Sequence, residues 1–216
     1  MAKVQILDAR YWNGVIPSGY AYIKGYIAKV SDGDYFTSPE FKKQYSAAGT
    51  LFGKARSAWS FFKGVSDPIA AARRYHEAMV AAGGYAGIPP ILDIEDKYAA
   101  KSRATVDKAW VQLQEMEQLA GREVMVYSAG WYWNSWCGPY IPLTHPIYTR
   151  KLWEADPAPN TVITGWPTGG IMVQTILDWR APGFIDTAGN PGLIDISDVE
   201  EAVFNTWVGP AVPPAQ

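Results

Sequence analysis

Pro89-Pro90-Ile91-Leu92-Asp93-Ile94-Glu95-Asp96 is the stretch on which the reading of this chain turns. The two prolines stop any preceding helix, and Ile91, Leu92 and Ile94 then carry the aliphatic, β-branched character of a buried strand. Asp93 and Glu95 sit inside that apolar run. Side chains alternate across a strand, so the two acids share a face. A carboxylate among apolar neighbours is costly unless it is paired or opens on a cleft, and two adjacent acids raise each other's proton affinity. The arrangement suits acid/base chemistry. The bland alternative is a strand end where both acids meet water or pair with Lys97.

Outward from this stretch the chain alternates strand and helix. Val4–Asp8 predicts a first strand ending on an acid, and Tyr26–Val30 a second, closed by the loop Ser31-Asp32-Gly33-Asp34. That loop lacks the later ligands and closing Glu of a calcium site. Pro39–Ala48 has helical spacing, with Phe41 and Tyr45 one turn apart, and Ala55–Phe62 is a third strand. Asp67-Pro68 supplies a cap and a first-turn proline for a helix whose face is traced by Ile69, Ala72, His76, Met79 and Val80, ending at Gly83-Gly84. After the central strand, Ser102 caps a helix carrying the stripe Val106, Trp110, Leu113 and Met116, which Gly121 closes. Glu123–Ser128 is a fifth strand and Trp131–Trp136 a short helix. Ile147–Glu154, Ile171–Leu177 and Leu193–Ile196 are the remaining strands, with Gly183–Gly192 as a loop. Alternating elements argue for a parallel sheet with helices outside, and eight strands for its closure. The expected fold is α/β: an irregular TIM-like barrel of about five β/α units followed by three strands with little helix. Residues 1–208 make the barrel domain, and 209–216 a Pro-rich C-terminal tail or linker stub.

The composition narrows the chemistry. Of 216 residues 48% are hydrophobic and 19% charged, the balance of a folded globular chain. A net charge of −2 gives no polybasic footprint, so neither nucleic acid nor a membrane is expected as partner. Met1-Ala2-Lys3-Val4-Gln5-Ile6 enters a strand at once, without the features of a signal peptide. The single cysteine, Cys137, excludes an internal disulfide and reads as a packing residue, because only His76 and His145 are available to activate it. No His/Cys set suits zinc, no glycine-rich loop suits phosphate, and no serine has an obvious histidine partner. Neither a metal nor a cofactor is expected. Ten Trp and thirteen Tyr supply flat faces that serve sugars as well as cores.

In a β/α barrel, chemistry gathers at the C-terminal ends of the strands. Asp8, the pair Asp93/Glu95, and Asp195 end predicted strands, with Asp198 just beyond. Closure would set strand one beside strand eight, hence Asp8 beside Asp195, with Asp93 and Glu95 across the mouth. Such an acidic, aromatic mouth fits glycosidic hydrolysis better than acyl or phosphoryl transfer.

These residues also carry a resemblance to the family 25 glycoside hydrolases, the Chalaropsis-type lysozymes. Asp8-Ala9-Arg10-Tyr11-Trp12-Asn13-Gly14 resembles that family's opening Asp-Val-Ser-x-x-Gln-Gly, with Arg10 where Ser is frequent. Lys29-Val30-Ser31-Asp32-Gly33 resembles its Lys-Ala-Ser/Thr-Glu-Gly, and Leu92-Asp93-Ile94-Glu95 matches its Leu-Asp-x-Glu. Val126-Tyr127-Ser128 followed by Trp131, then Leu152-Trp153-Glu154-Ala155, Gln174 and Ile194-Asp195, match later landmarks in order. Trp59-Ser60 stands where the family has Tyr-His, and Val173 precedes Gln174 where Trp is usual.

The resemblance implies cleavage of the β-1,4 bond between N-acetylmuramic acid and N-acetylglucosamine in bacterial peptidoglycan, as by a phage or prophage endolysin; a monomer is expected. A phage-encoded chain of this kind is expected in the host cytoplasm before release to the wall, and otherwise to leave by a non-classical route. By motif position Glu95 is the general acid, and Asp93 orients or stabilises the substrate's 2-acetamido group. Asp8 and Asp195 tune the pair. Trp59, Tyr127, Trp131, Trp153, Gln174 and Asp32 are the candidate substrate contacts. A non-catalytic glycan-binding barrel, and a hydrolase of another amino sugar polymer such as chitin, are the alternative readings.

Overall fold

The computed structural model describes residues 2–16, 20–155, 162–167 and 169–209. Eight strands close into a mixed barrel: β1 (Lys3–Ala9), β2 (Ile23–Asp32), β4 (Arg56–Phe61), β5 (Ile91–Asp93), β6 (Met125–Ala129), β7 (Leu152–Ala155), β8 (Gly170–Ile185) and β9 (Pro191–Glu200). A two-residue strand β3 (Phe36–Thr37) pairs only with the end of β2. Neighbours from β1 through β8 are parallel, whereas β9 runs antiparallel to both β8 and β1. Parallel neighbours need crossovers, and helices supply three of them: α1 (Phe41–Phe52), α2 (Pro68–Ala81) and α3 (Arg103–Ala120). Between β6 and β7 the chain makes only the short α4 (Gly130–Tyr132), a π turn at Trp133–Cys137 and two 3₁₀ turns. β8 and β9 form a hairpin, and α5 (Glu201–Val208) follows.

Local chemistry accounts for the helix ends. Asp67 accepts a hydrogen bond from the Ala70 N–H at 2.8 Å, with Pro68 in the first turn. Ser102 accepts from the Thr105 N–H at 3.3 Å. Gly121 adopts φ 65° at the end of α3, the left-handed conformation that a residue without Cβ takes at least cost.

The period of two along each strand sorts side chains into two cores. Leu7, Ala28, Leu92 and Val126 face outward and pack with Tyr45, Tyr75, Met79 and Leu113 of the helices. Their neighbours Ile6, Ile27, Ile91 and Met125 face inward and fill the barrel with Met172, Val199 and Trp153. Cys137 is fully buried in the outer core. No helix among the described residues is long and apolar enough to cross a membrane.

Several expectations need correction. Ile147–Thr149 is not strand: Pro146–Thr149 is a 3₁₀ turn capped by His145, and only Leu152–Ala155 pairs. The expected loop at Gly183–Gly192 is mostly hairpin, with β8 continuing to Ile185 and β9 starting at Pro191. The buried face of α2 is Ala71, Ala72, Tyr75 and Met79, whereas Val80 is 57% exposed and His76 bonds the Tyr85 hydroxyl through Nδ1. The postulated tail at 209–216 lies, apart from Gly209, outside the described residues.

Candidate active site

The inward period that places Ile6, Ile27, Ile91, Met125 and Met172 in the barrel interior places Asp8, Lys29, Asp93, Tyr127 and Gln174 two residues further along the same strands. The polar layer is therefore the top of the barrel interior. It lines a cleft of about 600 Å³, measured with its open mouth, together with Arg10, Trp12, Trp59, Phe61, Glu95, Trp153 and Asp195. β5 ends at Asp93, so Glu95 lies just past the strand, at the rim.

All four predicted acids meet here. Asp8 and Asp195 are register partners across the β1–β9 pair that closes the barrel. One amide holds them together: Gln174 Nε2 donates to Asp8 Oδ2 at 3.4 Å and to Asp195 Oδ2 at 3.3 Å. The Tyr127 hydroxyl donates to Gln174 Oε1 at 2.9 Å and so fixes which way the amide points. The Trp59 indole N–H donates to Asp8 Oδ1 at 2.8 Å, and the Asp178 N–H to Asp195 Oδ1 at 2.9 Å. Asp93 is buried, and its Oδ1 has no hydrogen-bond partner among the described residues.

Burial dominates the electrostatics, because removing a carboxylate from water favours its protonated form. Asp8 is pushed up to about 7 by burial and then by Asp195, against the Trp59 bond, Arg10 and Lys29. Asp93 is raised well above the usual carboxylate range, by burial first and then by Glu95. Burial lifts Glu95 to about 7 against the opposing pull of Arg10 and of backbone hydrogen bonding at Ala129. Asp195 is raised by burial, which its Arg10 partner at 2.9 Å counteracts. At neutral pH the cluster therefore keeps protons that isolated carboxylates would have lost. Among the described residues, no group of three or more His, Cys, Asp or Glu side chains is placed to hold a metal ion.

The predicted substrate contacts separate into two groups. Trp59, Tyr127, Trp153 and Gln174 line the cleft. Trp153 is a supporting ring rather than an open platform: it is 1% exposed, meets Tyr127 edge-on at 4.5 Å between centroids and donates to Ser197 Oγ at 3.0 Å. Trp131 stands apart, half exposed and packed edge-on against Tyr132 and Trp136. Asp32 does not line the cleft either; it holds the Lys29 ammonium at 2.6 Å. Four lining residues were not foreseen as site residues: Arg10, Trp12, Lys29 and Phe61. Lys29 carried a signal, being a cation inside a strand whose other residues are largely apolar, and its ammonium lies 4.8 Å from the Trp59 ring and 5.3 Å from that of Phe61.

The family model for glycosyl hydrolases family 25 matches residues 7–160, a span that contains Asp8, Asp93 and Glu95. The chain belongs to this family. As a family 25 member it is a glycoside hydrolase. Solved structures share its fold at low identity. A lysozyme from Streptomyces coelicolor is 20% identical with a TM-score of 0.71, over 96% of this chain and 98% of that one. A family 25 glycosyl hydrolase from Bacillus anthracis is 16% identical with a TM-score of 0.75, over 95% and 94%. The catalytic domain of an endolysin from a Listeria monocytogenes bacteriophage is 15% identical with a TM-score of 0.72, over 97% and 98%. No curated protein matches the chain. The family 25 assignment thus rests on the sequence model, and the closed eight-stranded barrel on the structural likeness.

Proposed function

We propose that this family 25 enzyme hydrolyses bacterial peptidoglycan at the β-1,4 bond between N-acetylmuramic acid and N-acetylglucosamine, in the manner of a phage or prophage endolysin. One observation carries the reading: a carboxyl pair, Asp93 and Glu95, at the top of the barrel, with Glu95 held to about 7 by burial. A carboxyl group that keeps its proton near neutrality is what a general acid requires. Glu95 gives its proton to the glycosidic oxygen as the bond to the anomeric carbon breaks. The carbonyl oxygen of the substrate's own 2-acetamido group attacks that carbon, forming a cyclic oxazolinium intermediate. Asp93 accepts a hydrogen bond from the acetamido N–H, for which its unpartnered Oδ1 leaves acceptor capacity. Water then opens the intermediate, giving its proton to the Glu95 carboxylate and restoring the acid. Substrate-assisted routes of this kind are an established exception to two-carboxylate glycoside hydrolysis. Asp8, held beside Asp195 by Gln174, adds to the charge that favours the protonated form of Asp93.

The test is loss of turbidity and release of reducing ends from bacterial cell walls, for the wild type and Glu95→Gln. Wild-type product with an inactive variant is the expected result. Binding to walls without product from the wild type would instead mark a glycan-binding barrel. Product from chitin but not from walls would move the substrate to another amino sugar polymer, and full activity in Glu95→Gln would remove Glu95 from the acid role.

A further inference from the structure

We infer that Arg10 is a positioning residue of this site: it supplies a fixed cation that offsets the negative charge of the carboxyl cluster. The first support is a count of charges. Among the described residues the cleft is lined by the four carboxyl groups of Asp8, Asp93, Glu95 and Asp195 and by two cations, Arg10 and Lys29. Lys29 is engaged at 2.6 Å by Asp32, a carboxylate that does not line the cleft. The ion pair of Arg10 among the described residues lies within the cleft, its Nη2 standing 2.9 Å from Asp195 Oδ2, with Asp178 a more weakly interacting neighbour outside the lining. The groups that interact with it come from several strands: Asp8 on β1, Glu95 after β5, Tyr127 on β6, Asp178 on β8 and Asp195 on β9. Lys29 on β2 and Asp93 on β5 line the same cleft.

The second support is the rigidity of the loop that carries it. The Arg10 N–H bonds Asn13 Oδ1 at 2.6 Å, and the Asn13 side-chain amide reaches across to the Leu193 carbonyl on β9. Gln44 on α1 donates to the Arg10 carbonyl at 3.2 Å and also to that of Asn13. The Thr187 N–H at the hairpin tip donates to the Trp12 carbonyl at 3.0 Å. At Gly14 a Cβ would stand 2.0 Å from the Ile185 carbonyl oxygen, so only glycine lets the loop approach the hairpin. Three elements thus clamp a five-residue loop, and the Arg10 guanidinium lies 5.4 Å from the Trp12 ring centroid. A fixed cation of this kind is electrostatic preorganisation. It favours the charged form of Asp195, Asp8 and Glu95 against the burial that protonates them.

The kinetic arm of the test rests on the proposed hydrolysis, and a second arm does not. In the full chain, Arg10→Ser and Arg10→Lys are compared with wild type by carboxyl-carbon NMR titration of Glu95 and Asp195, and by the pH dependence of wall hydrolysis. In Arg10→Ser the Asp195 midpoint should rise by about one pH unit, the size of effect expected on losing an opposite charge at 2.9 Å, and the Glu95 midpoint should rise with it. The alkaline limb of the activity profile should follow. Arg10→Lys, which keeps the charge, should stay close to wild type in both. Midpoints unchanged in Arg10→Ser overturn the inference. So does a weaker apparent affinity for walls with an unmoved pH profile, which would make Arg10 a substrate contact. So also does an Arg10→Lys profile displaced as far as that of Arg10→Ser. If the wild type hydrolyses no walls, the proposed function fails, and the NMR midpoints still decide the role of Arg10.

Discussion

Tyr127→Phe probes how the cleft is held together. The hydroxyl is buried and donates to Gln174 Oε1 at 2.9 Å, and the same amide donates from its nitrogen to Asp8 and Asp195. Deleting the hydroxyl removes one neutral hydrogen bond and leaves a buried carbonyl oxygen unsatisfied, which together cost about 1–3 kcal/mol. For a chain of this size each kcal/mol moves the melting midpoint by about 2–4 °C. The variant should therefore melt about 2–12 °C below wild type. The amide also loses the contact that fixes its orientation. A flipped Gln174 would present its carbonyl to two carboxyl groups, so wall-hydrolysis activity should fall further than the loss of folded protein explains. The assay is urea unfolding of wild type, Tyr127→Phe, Gln174→Met and the double variant, with turbidity loss measured on each. Coupled residues give a non-additive cycle, with an interaction energy of about 0.5–3 kcal/mol. Additivity within about 0.5 kcal/mol would refute the reasoning.

Three further outcomes are expected. Glu95 titrates near 7 in the folded protein against 4.5 ordinarily, so the folded state binds its proton more tightly and stability falls as pH rises between those values. Glu95→Gln removes that cost; it should melt above wild type at pH 8, with the gap closing by about pH 4 in scanning calorimetry. Asp93→Asn should retain the wild-type circular dichroism spectrum while wall hydrolysis drops by about two orders of magnitude or more; loss of the folded spectrum would make Asp93 a structural residue. Arg150→Ala breaks a two-pronged pair with Glu117 at 2.6 and 2.8 Å and a contact 4.9 Å from the Trp110 ring. It should cost about 1–3 kcal/mol in denaturant unfolding, less at high salt, with activity per folded molecule unchanged.

What was legible in the sequence were features with local causes. Asp67-Pro68, Ser102 and Gly121 end their helices as their side chains and dihedral freedom dictate. The strand-terminal acids were legible because each interrupts an apolar run. Ile147-Tyr148-Thr149 misled, since its residue types favour strands; Pro146 and the His145 cap win there and wind a 3₁₀ turn. The hairpin at Gly183–Gly192 was hidden by its glycines and by β8 irregularities, including Asp178 at φ 55° and shifts of register. Arg10 and Trp12 were invisible as cleft residues because bonds to α1 and β9, remote in sequence, aim their loop. Asp32 was placed by its position in the family motif, within an expected loop; β2 instead runs through it, and its carboxylate turns to Lys29. Trp131 follows the end of β6 by two residues, yet Tyr132 and Trp136 hold its ring away from the mouth.

Barrel closure has a bearing on when the enzyme comes into being. β1 finds its antiparallel partner only in β9, and the Arg10–Asp195 bridge joins residues 185 positions apart. A ribosome must release nearly the whole barrel before Asp8 and Asp195 can face each other, and pairings of such long range form late and slowly. Asp93 and Glu95 stand at the end of β5, which β4 and β6 flank, on the side of the barrel away from this closing pair. The Asp8–Asp195 half of the acidic cluster is therefore assembled only when the last strand docks.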